Sequence, residues 1–364
     1  MNILNKIKEN FLLFQKGEKN YIPHPKELGK FTQWFAGRLP GDVTCITGGT
    51  SSAKTSLTKM FVFKAIEWAI ENNKDYHVLW FGLEESEEQF EYSLLSFLIY
   101  QKSKGEVRYN IEHFEGLGKS IEEKHLKSIE NIMPLFEKYK SYITFYETVS
   151  NSWGIYKEIR KFARQRGVFL KDNVPFTEED FANSLQWNGY KKKNPDELVE
   201  VVIDHISELI TQRDQKDLAA AMIDLIKNLR MYVAKVFKYS VIVVQQQMFE
   251  MENLDHIKEE QVYASLQGLG DSKVIGRAYL NVIGITNVNR YGIRIAKTDT
   301  GDININQFQD YQRVIGILKR RYGVVNKKAG LYFDGCSGWF EEIPKDQDKR
   351  NEMINKIKKL TEQI

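Results

Sequence analysis

The chain has 364 residues, of which 42% are hydrophobic and 28% are charged, and its formal net charge at pH 7 is +3. These values are typical of a globular protein with one large core, or with one core and a small appendage. Two cysteines exclude a disulfide framework and a zinc site, whereas the nearly balanced charge neither requires nor excludes nucleic acid. No stretch approaches the roughly 18 uninterrupted apolar residues of a membrane span, so the sequence predicts a cytoplasmic protein without a membrane partner.

The first twenty residues are predicted to form an amphipathic helix and a linker. Apolar residues recur at helical spacing between positions 3 and 14. The charged residues among them, without a small-residue cleavage site, do not fit a signal peptide. The apolar face would pack either on its own domain or on a neighbouring subunit. Pro23 and Pro25 indicate an extended connection to the residues that follow.

A glycine-rich loop that joins an apolar, β-branched run to a helical pattern organises the rest of the chain. The predicted loop and the start of its helix comprise Gly48, Gly49, Thr50, Ser51, Ser52, Ala53, Lys54, Thr55 and Ser56. A strand, such a loop and a helix that begins with Lys-Thr are typical of a phosphate-binding P-loop, because backbone N–H groups and the helix dipole favour an anion there. Lys54 would reach the β- and γ-phosphates, and Thr55 would hold Mg²⁺. The alternative is a flexible turn.

Ala53 departs from the P-loop pattern. It stands where the motif G-x-x-x-x-G-K-[ST] has its second glycine. A methyl group there crowds the path of the phosphates but removes no hydrogen-bond donor. We therefore expect the substitution to be tolerated.

Three further strands end in polar residues suited to nucleotide chemistry. Residues 77–82 precede Glu84, which could orient a water for attack on the γ-phosphate, or could be an acid favoured by the dipole of the next helix. Residues 199–205 form an apolar run that contains Asp204, and such an aspartate holds Mg²⁺ in P-loop enzymes. Residues 241–244 precede Gln246, whose amide can hydrogen-bond a γ-phosphate.

The remaining segments are less informative. Residues 155–166 predict a helix with a basic face, which is either solvated or a nucleic-acid patch, and residues 168–195 read as an insertion or a loop. Residues 282–286, 293–296, 314–319 and 329–333 are predicted as antiparallel or edge strands. A charged, peripheral helix is predicted at the C-terminus.

Taken in order, these motifs resemble the RecA-like C-terminal motor domain of the DnaB family (superfamily 4) of replicative helicases, over about residues 21–344. Besides the P-loop, the segments that carry the resemblance are Phe81-Gly82-Leu83-Glu84 (similar to F-S-L-E), Ile203-Asp204-His205-Ile206-Ser207-Glu208-Leu209 (similar to I-D-Y-L-Q-L), Val243-Val244-Gln245-Gln246 (similar to A-L-S-Q) and Ile317-Leu318-Lys319-Arg320-Arg321-Tyr322-Gly323 (similar to a K-x-R-N-G hairpin). Several motifs in the right order are more specific than any one of them.

The resemblance implies a fold and a division of the chain. The fold would be an α/β RecA-like P-loop NTPase, with a mostly parallel twisted sheet flanked by helices and a C-terminal β-hairpin extension. Residues 1–20 would form the N-terminal helix and linker, residues 21–344 the ATPase domain with an insertion around 168–195, and residues 345–364 a C-terminal helix. The primase-recruiting N-terminal domain of the family is expected to be absent.

The resemblance also implies an ATP-dependent helicase that translocates on single-stranded DNA as a hexameric ring and unwinds duplex DNA in replication. ATP and Mg²⁺ would bind between subunits, with Glu84 activating water and Gln246 sensing the γ-phosphate. Lys319 and Arg321 would reach the neighbouring subunit's nucleotide. A primase, a loader or a polymerase would be partners.

DNA would be gripped by loops around 209–217 and 248–276, with Lys273 and Arg277 contacting phosphates. The acidic character of the second loop, and the lack of the family's arginine after the sensor glutamine, weaken this expectation. Two alternatives therefore stay open: a RecA- or KaiC-like ATPase acting in recombination or regulation, and a nucleotide-binding scaffold with weak turnover.

Overall fold

A computed structural model describes residues 3–16, 18, 20–177, 187–248, 262–269 and 273–361. In these ranges the helices are α1 (Ile3–Gln15), α2 (Lys30–Trp34), α3 (Lys54–Glu71), α4 (Glu87–Lys102), α5 (Ile111–Phe114), α6 (Glu123–Lys140), α7 (Ser152–Arg166), α8 (Leu218–Asn228), α9 (Lys273–Ala278), α10 (Ile305–Phe308) and α11 (Gln347–Thr361). The strands are β1 (Ile22–Pro23), β2 (Gly37–Arg38), β3 (Val43–Gly48), β4 (Tyr76–Gly82), β5 (Ile143–Tyr146), β6 (Gly167–Lys171), β7 (Val174–Pro175), β8 (Gly189–Lys192), β9 (Leu198–Asp204), β10 (Ser240–Gln246), β11 (Asn281–Thr286), β12 (Ile295–Ala296), β13 (Ile303–Asn304), β14 (Gln312–Arg320), β15 (Lys327–Asp334) and β16 (Trp339–Glu342).

One nine-stranded sheet dominates the fold, in the order β16-β15-β14-β11-β3-β10-β9-β4-β5. The strands from β11 to β5 pair in parallel, and β14, β15 and β16 extend the sheet in antiparallel fashion. The predicted mostly parallel sheet with a C-terminal hairpin is confirmed. Residues 282–286 belong to β11, which is antiparallel to β14 as predicted; its position inside the sheet, parallel to β3, was not predicted.

Helices cover both faces of this sheet because its central strands are apolar on both sides. Successive side chains of a strand point to opposite faces, so Cys45 and Ile46 of β3 enter two different cores. Helices α3, α4 and α6 complete the core that contains Ile46. Helices α7 and α8 complete the other. The carboxyl ends of the parallel strands therefore lie together at one edge, where loops of different origin meet.

Three peripheral segments surround the sheet. The apolar residues Ile3, Ile7 and Phe11 of α1 are all more than half exposed. Within residues 168–195, a small antiparallel sheet forms in the order β7-β6-β8, while 178–186 lie outside the described residues. Helix α11 packs through Ile354 and Ile357 on a third, smaller core. Across the described ranges, no helix combines the length and the apolar character needed to cross a bilayer.

Candidate active site

The P-loop sequence follows β3 at the carboxyl edge of the sheet, and α3 begins at Lys54. Gly48 has no room for a side chain, because a Cβ atom there would lie 2.1 Å from the Ile285 carbonyl oxygen. Ser51 and Ala53 both adopt left-handed backbone conformations, with φ of 58° and 72°. The conformation of Ala53 is one that glycine adopts freely and that costs alanine about 1–2 kcal/mol. The glycine of the usual motif would suit this backbone better.

Side chains from three other elements hold the P-loop. The Gln246 amide nitrogen donates to Thr50 Oγ1 at 2.7 Å, and the Arg290 guanidinium donates to the Thr50 carbonyl. Arg313 Nε donates to the Ser52 carbonyl at 3.2 Å. Arg313 is buried, and its burial lowers the pKa of the guanidinium to about 10. Lys54 Nζ donates to the Gly49 carbonyl at 2.9 Å, which keeps its charge inside the loop.

Ser56, in the first turn of α3, lines a cavity of about 290 Å³. The cavity runs between α3 and α4 and is closed by the turn that joins β15 to β16. Its polar wall includes Lys59 and Ser93.

Thr55 and Asp204 form an oxygen pair suited to a magnesium ion. Thr55 Oγ1 donates to Asp204 Oδ1 at 3.0 Å. Asp204 is buried, and desolvation, with a further contribution from the nearby Glu85 carboxylate, raises the pKa of Asp204 to about 7. A hydroxyl and a carboxylate are the hard ligands that Mg²⁺ prefers. The donor set therefore fits the ion, and a cation would relieve the cost of the buried charge.

Two adjacent glutamates beside Asp204 have different environments. Strands β4 and β9 align Gly82 with Asp204. The Glu84 side chain is 64% exposed, and its Oε2 lies 3.1 Å from His205 Nε2. Glu85 pairs instead with Lys59 at 2.6 Å and is only 16% exposed. Of the two carboxylates, Glu84 is the one that faces open space at the strand edge.

Lys319 and Arg321 are not close to the P-loop of the same chain. Lys319 is in β14, two strands away from β3. It pairs with Val282 of β11, and Val282 pairs with Cys45 of β3, three residues before Gly48. That offset is about 10 Å along the strands alone. Lys319 Nζ donates to the Gly276 carbonyl at 2.8 Å, and desolvation lowers the pKa of the lysine. Arg321 is exposed, with its guanidinium 5.3 Å from the centre of the Tyr322 ring.

The residues predicted to contact DNA are only partly described. Arg277 is exposed on α9, whose Gly276 carbonyl accepts the hydrogen bond from Lys319, so it lies away from the P-loop. The side chain of Lys273 lies outside the described residues, as do 249–261 and 270–272 of the second predicted loop. Residues 209–217, the first predicted loop, connect the carboxyl end of β9 to α8.

Three residues of this site received no role from the sequence. Arg290 and Arg313 contact loop residues that lie 240 and 261 positions away, so no local pattern reveals them. His205 directly follows Asp204 through a cis peptide bond. Its signal was present in the sequence: a histidine stands where the helicase motif I-D-Y-L-Q-L has tyrosine.

Comparison with known proteins bears on the fold. No protein-family model matches the chain, and no curated protein sequence matches it. Among solved structures, a DnaB-like replicative helicase, reported with its interactions with primase, superimposes with a TM-score of 0.62 at 13% identity over 94% of this chain and 67% of that chain. The ATPase domain of G40P gives a TM-score of 0.62 at 14% identity over 94% and 98% of the two chains.

This chain has the RecA-like P-loop ATPase fold. The resemblance to DnaB-type motor domains that the motifs predict is confirmed at the level of the fold. A KaiC-like protein from Pyrococcus horikoshii matches over 89% of this chain and 100% of that chain at 12% identity, with a TM-score of only 0.45.

Proposed function

We propose that this protein is an ATP-driven DNA helicase of the DnaB type, which translocates on single-stranded DNA as a ring of six identical subunits and unwinds duplex DNA in replication in the cytoplasm. One observation carries the proposal. The P-loop, Asp204 and Glu84 meet at one edge of the sheet, whereas Lys319 and Arg321 lie toward the opposite edge. A nucleotide site that includes all of them requires a second subunit.

Within one subunit, the P-loop amides and Lys54 bind the β- and γ-phosphates, and Gln246 contacts the γ-phosphate. Thr55 and Asp204 would hold Mg²⁺, which neutralises phosphate charge when it is bound. Glu84 orients a water and accepts its proton as the water oxygen bonds to the γ-phosphorus. The bond from that phosphorus to the bridging oxygen breaks, and ADP and phosphate are released.

The neighbouring subunit completes this site. Its Lys319 and Arg321 stabilise the charge that develops on the γ-phosphoryl group, and an arginine in this role is worth about 10³–10⁵ in rate. The exposed apolar face of α1 favours docking of residues 1–20 on a neighbouring subunit over packing on their own domain. Residues 21–344 form the motor and 345–364 a C-terminal helix in this proposal.

DNA would pass through the centre of the ring. Loops around 209–217 and 248–276 line it, and Lys273 and Arg277 contact phosphates. A primase, a loader or a polymerase would meet the ring at the replication fork.

The test is ATP hydrolysis with and without single-stranded DNA, at several protein concentrations and a fixed salt concentration, followed by unwinding of a forked duplex. We expect strong stimulation by DNA that rises cooperatively with protein concentration, and no hydrolysis by Lys54→Ala. Turnover that ignores both DNA and concentration would contradict the proposal. It would favour a RecA- or KaiC-like regulatory ATPase, or a nucleotide-binding scaffold.

A further inference from the structure

In the contact between Glu84 and His205, an exposed side chain meets a buried one. His205 Nε2 lies 3.1 Å from Glu84 Oε2, and the two side chains are 7% and 64% exposed. An exposed glutamate has three rotatable bonds and many conformations. A buried imidazole has few. The ring can therefore define where the carboxylate rests.

The backbone fixes the ring relative to Glu84. Asp204, the last residue of β9, is in register with Gly82, the last residue of β4. The Leu83 N–H donates to the Asp204 carbonyl at 2.7 Å, one residue before each partner of the pair. The Glu208 N–H donates to the His205 carbonyl at 3.1 Å and closes the following turn. Both ends of the contact thus start from hydrogen-bonded main chain.

The surroundings of His205 Nε2 suit a hydrogen-bond donor on this nitrogen. Both groups near this nitrogen are carboxylates: Glu84 at 3.1 Å and Glu208 at 3.9 Å. Carboxylate oxygens accept and cannot donate when ionised. The other ring nitrogen, Nδ1, is buried and has no hydrogen-bond partner among the described residues. Among the described residues, the polar contacts of the His205 ring are therefore those at Nε2.

The adjacent Glu85 shows what the pairing accomplishes. Lys59 binds Glu85 at 2.6 Å and also donates to Ser93 Oγ at 2.8 Å, which ties Glu85 to α3 and α4. A carboxylate held in this way by lysine is part of the packing between the two helices. A single imidazole N–H, in contrast, can orient one oxygen of a carboxylate and leave the other oxygen unpaired. The two partners thus give the two glutamates different surroundings: Glu85 is held between helices, and Glu84 faces open space.

We propose that His205 is a positioning residue for Glu84: its Nε2–H binds one carboxylate oxygen and leaves the other to face the attacking water. This inference rests on the proposed ATPase function. Holding a reacting group in place lowers the barrier, and a misplacement of about 1 Å can cost about a hundredfold in rate. The effect belongs to kcat, because nothing in the contact involves the P-loop residues that bind nucleotide.

Steady-state ATP hydrolysis by His205→Leu and His205→Gln tests the inference. Leucine removes the donor, and glutamine restores an N–H at a similar reach. We expect His205→Leu to lower kcat about ten- to a hundredfold with KM for ATP changed by less than about twofold, and His205→Gln to recover most of the rate. His77→Leu is the matched control, since His77 is a half-buried histidine at the start of the same strand β4, and its kcat should be unchanged.

Equal losses in the leucine and glutamine variants, or a rise in KM alone, would overturn the inference. A double variant, His205→Leu with Glu84→Gln, should be no slower than Glu84→Gln alone, because the two residues act as one unit. A further, multiplicative loss in the double variant would show that His205 acts independently of Glu84.

A measurement without nucleotide keeps the inference testable whatever the variants do. The chain has six histidines, so ¹⁵N-histidine labelling can resolve the Nε2 signal of His205, assigned by its loss in His205→Gln. We expect this signal to shift between the wild type and Glu84→Ala. An unchanged signal would refute the pairing. Because this shift does not depend on hydrolysis or on DNA, it separates failure of the pairing from failure of the proposed helicase function.

Discussion

The methyl group of Ala53 strains the backbone of the P-loop. Its φ of 72° lies in the left-handed region, immediately before the first residue of α3. A β-carbon in this conformation crowds the following carbonyl oxygen, and a glycine would not. The loop is therefore held in its shape at the expense of folding stability.

Replacing Ala53 with glycine is expected to raise the free energy of unfolding by about 0.5–1 kcal/mol, since relief of about 1–2 kcal/mol of strain exceeds the added flexibility of the unfolded chain. Urea denaturation measures the change. The control is Ala65→Gly in the buried interior of α3, which should lower the stability by about 1 kcal/mol. A loss of stability in Ala53→Gly would show that the methyl group packs favourably.

Asp204 makes the nucleotide-free protein sensitive to pH. Its pKa rises to about 7, chiefly through burial, while the unfolded chain keeps an ordinary carboxyl pKa near 4. Because the folded state binds the proton more tightly, the stability that this proton provides is complete below about pH 4 and is lost as the pH rises to about 7.

Asp204→Asn is therefore expected to raise the melting temperature of the nucleotide-free protein at pH 8, because the amide removes a buried charge and keeps an acceptor for Thr55. The gain should shrink as the pH falls toward 4. Thermal melting in EDTA over this pH range checks it. The same variant should lose Mg²⁺-dependent ATP hydrolysis. An equal melting temperature at pH 8 would mean that the carboxylate is already neutralised in the folded protein.

At the scale of elements, β14 supports the P-loop from two strands away. Arg313 donates to three main-chain carbonyls, those of Ser52, Asp310 and Gln312. Its guanidinium also lies 4.5 Å from the centre of the Phe333 ring. The three carbonyls and the Phe333 ring compensate the cost of burying the Arg313 charge.

Arg313→Met is expected to lower the free energy of unfolding by about 2–4 kcal/mol, because buried carbonyls lose their donor. ATP affinity should fall about tenfold, because the loop loses an anchor. Urea denaturation and titration with a fluorescent ATP analogue measure the two effects. Arg321→Met, an exposed arginine just beyond the same strand, is the control and should change stability by about 0.5 kcal/mol or less. Equal effects in the two variants would contradict a supporting role for Arg313.

Sequence patterns within a few residues were enough to predict the P-loop and the strand that ends at Asp204. Contacts between residues far apart in the chain were not predicted. The P-loop lies between an apolar strand and a helical pattern, and Asp204 directly follows the apolar residues Val201, Val202 and Ile203, so both are visible within a few residues. The parallel pairing of β11 was missed because its partner β3 lies more than 230 residues earlier in the chain. Arg290 and Arg313 were missed because their acceptors lie 240 and 261 positions away. These acceptors are also main-chain carbonyls, which every residue has and which leave no sequence signature.

The whole molecule is incomplete as a catalyst if the proposed ring exists, because the two halves of each site come from different subunits. Heterologous, head-to-tail contacts close into such rings when the rotation between subunits permits it. The position of Lys319 and Arg321 relative to their own P-loop gives this arrangement a direct test.

Lys54→Ala and Arg321→Ala should each be nearly inactive alone, the second by about 10³-fold with ATP binding retained. When the two are mixed in equal amounts and allowed to exchange subunits, activity should return at about a quarter of the interfaces, since that fraction combines an intact P-loop with an intact arginine. Hydrolysis rate against mixing ratio measures it. A mixture as inactive as its components would place Arg321 in its own subunit's site, and an Arg321→Ala variant that is active alone would place it outside the mechanism.

In such a ring, the two ends of β14 would lie near two different active sites. Near its start, Arg313 binds the P-loop of its own subunit. Toward its far end, about 20 Å away at the usual rise of a strand, Lys319 and Arg321 would face the next subunit's nucleotide in the proposed ring. A strand that is hydrogen-bonded on both sides resists deformation, so in the proposed ring it would link successive active sites mechanically. The firing order around the ring would then be a mechanical property of one segment of backbone.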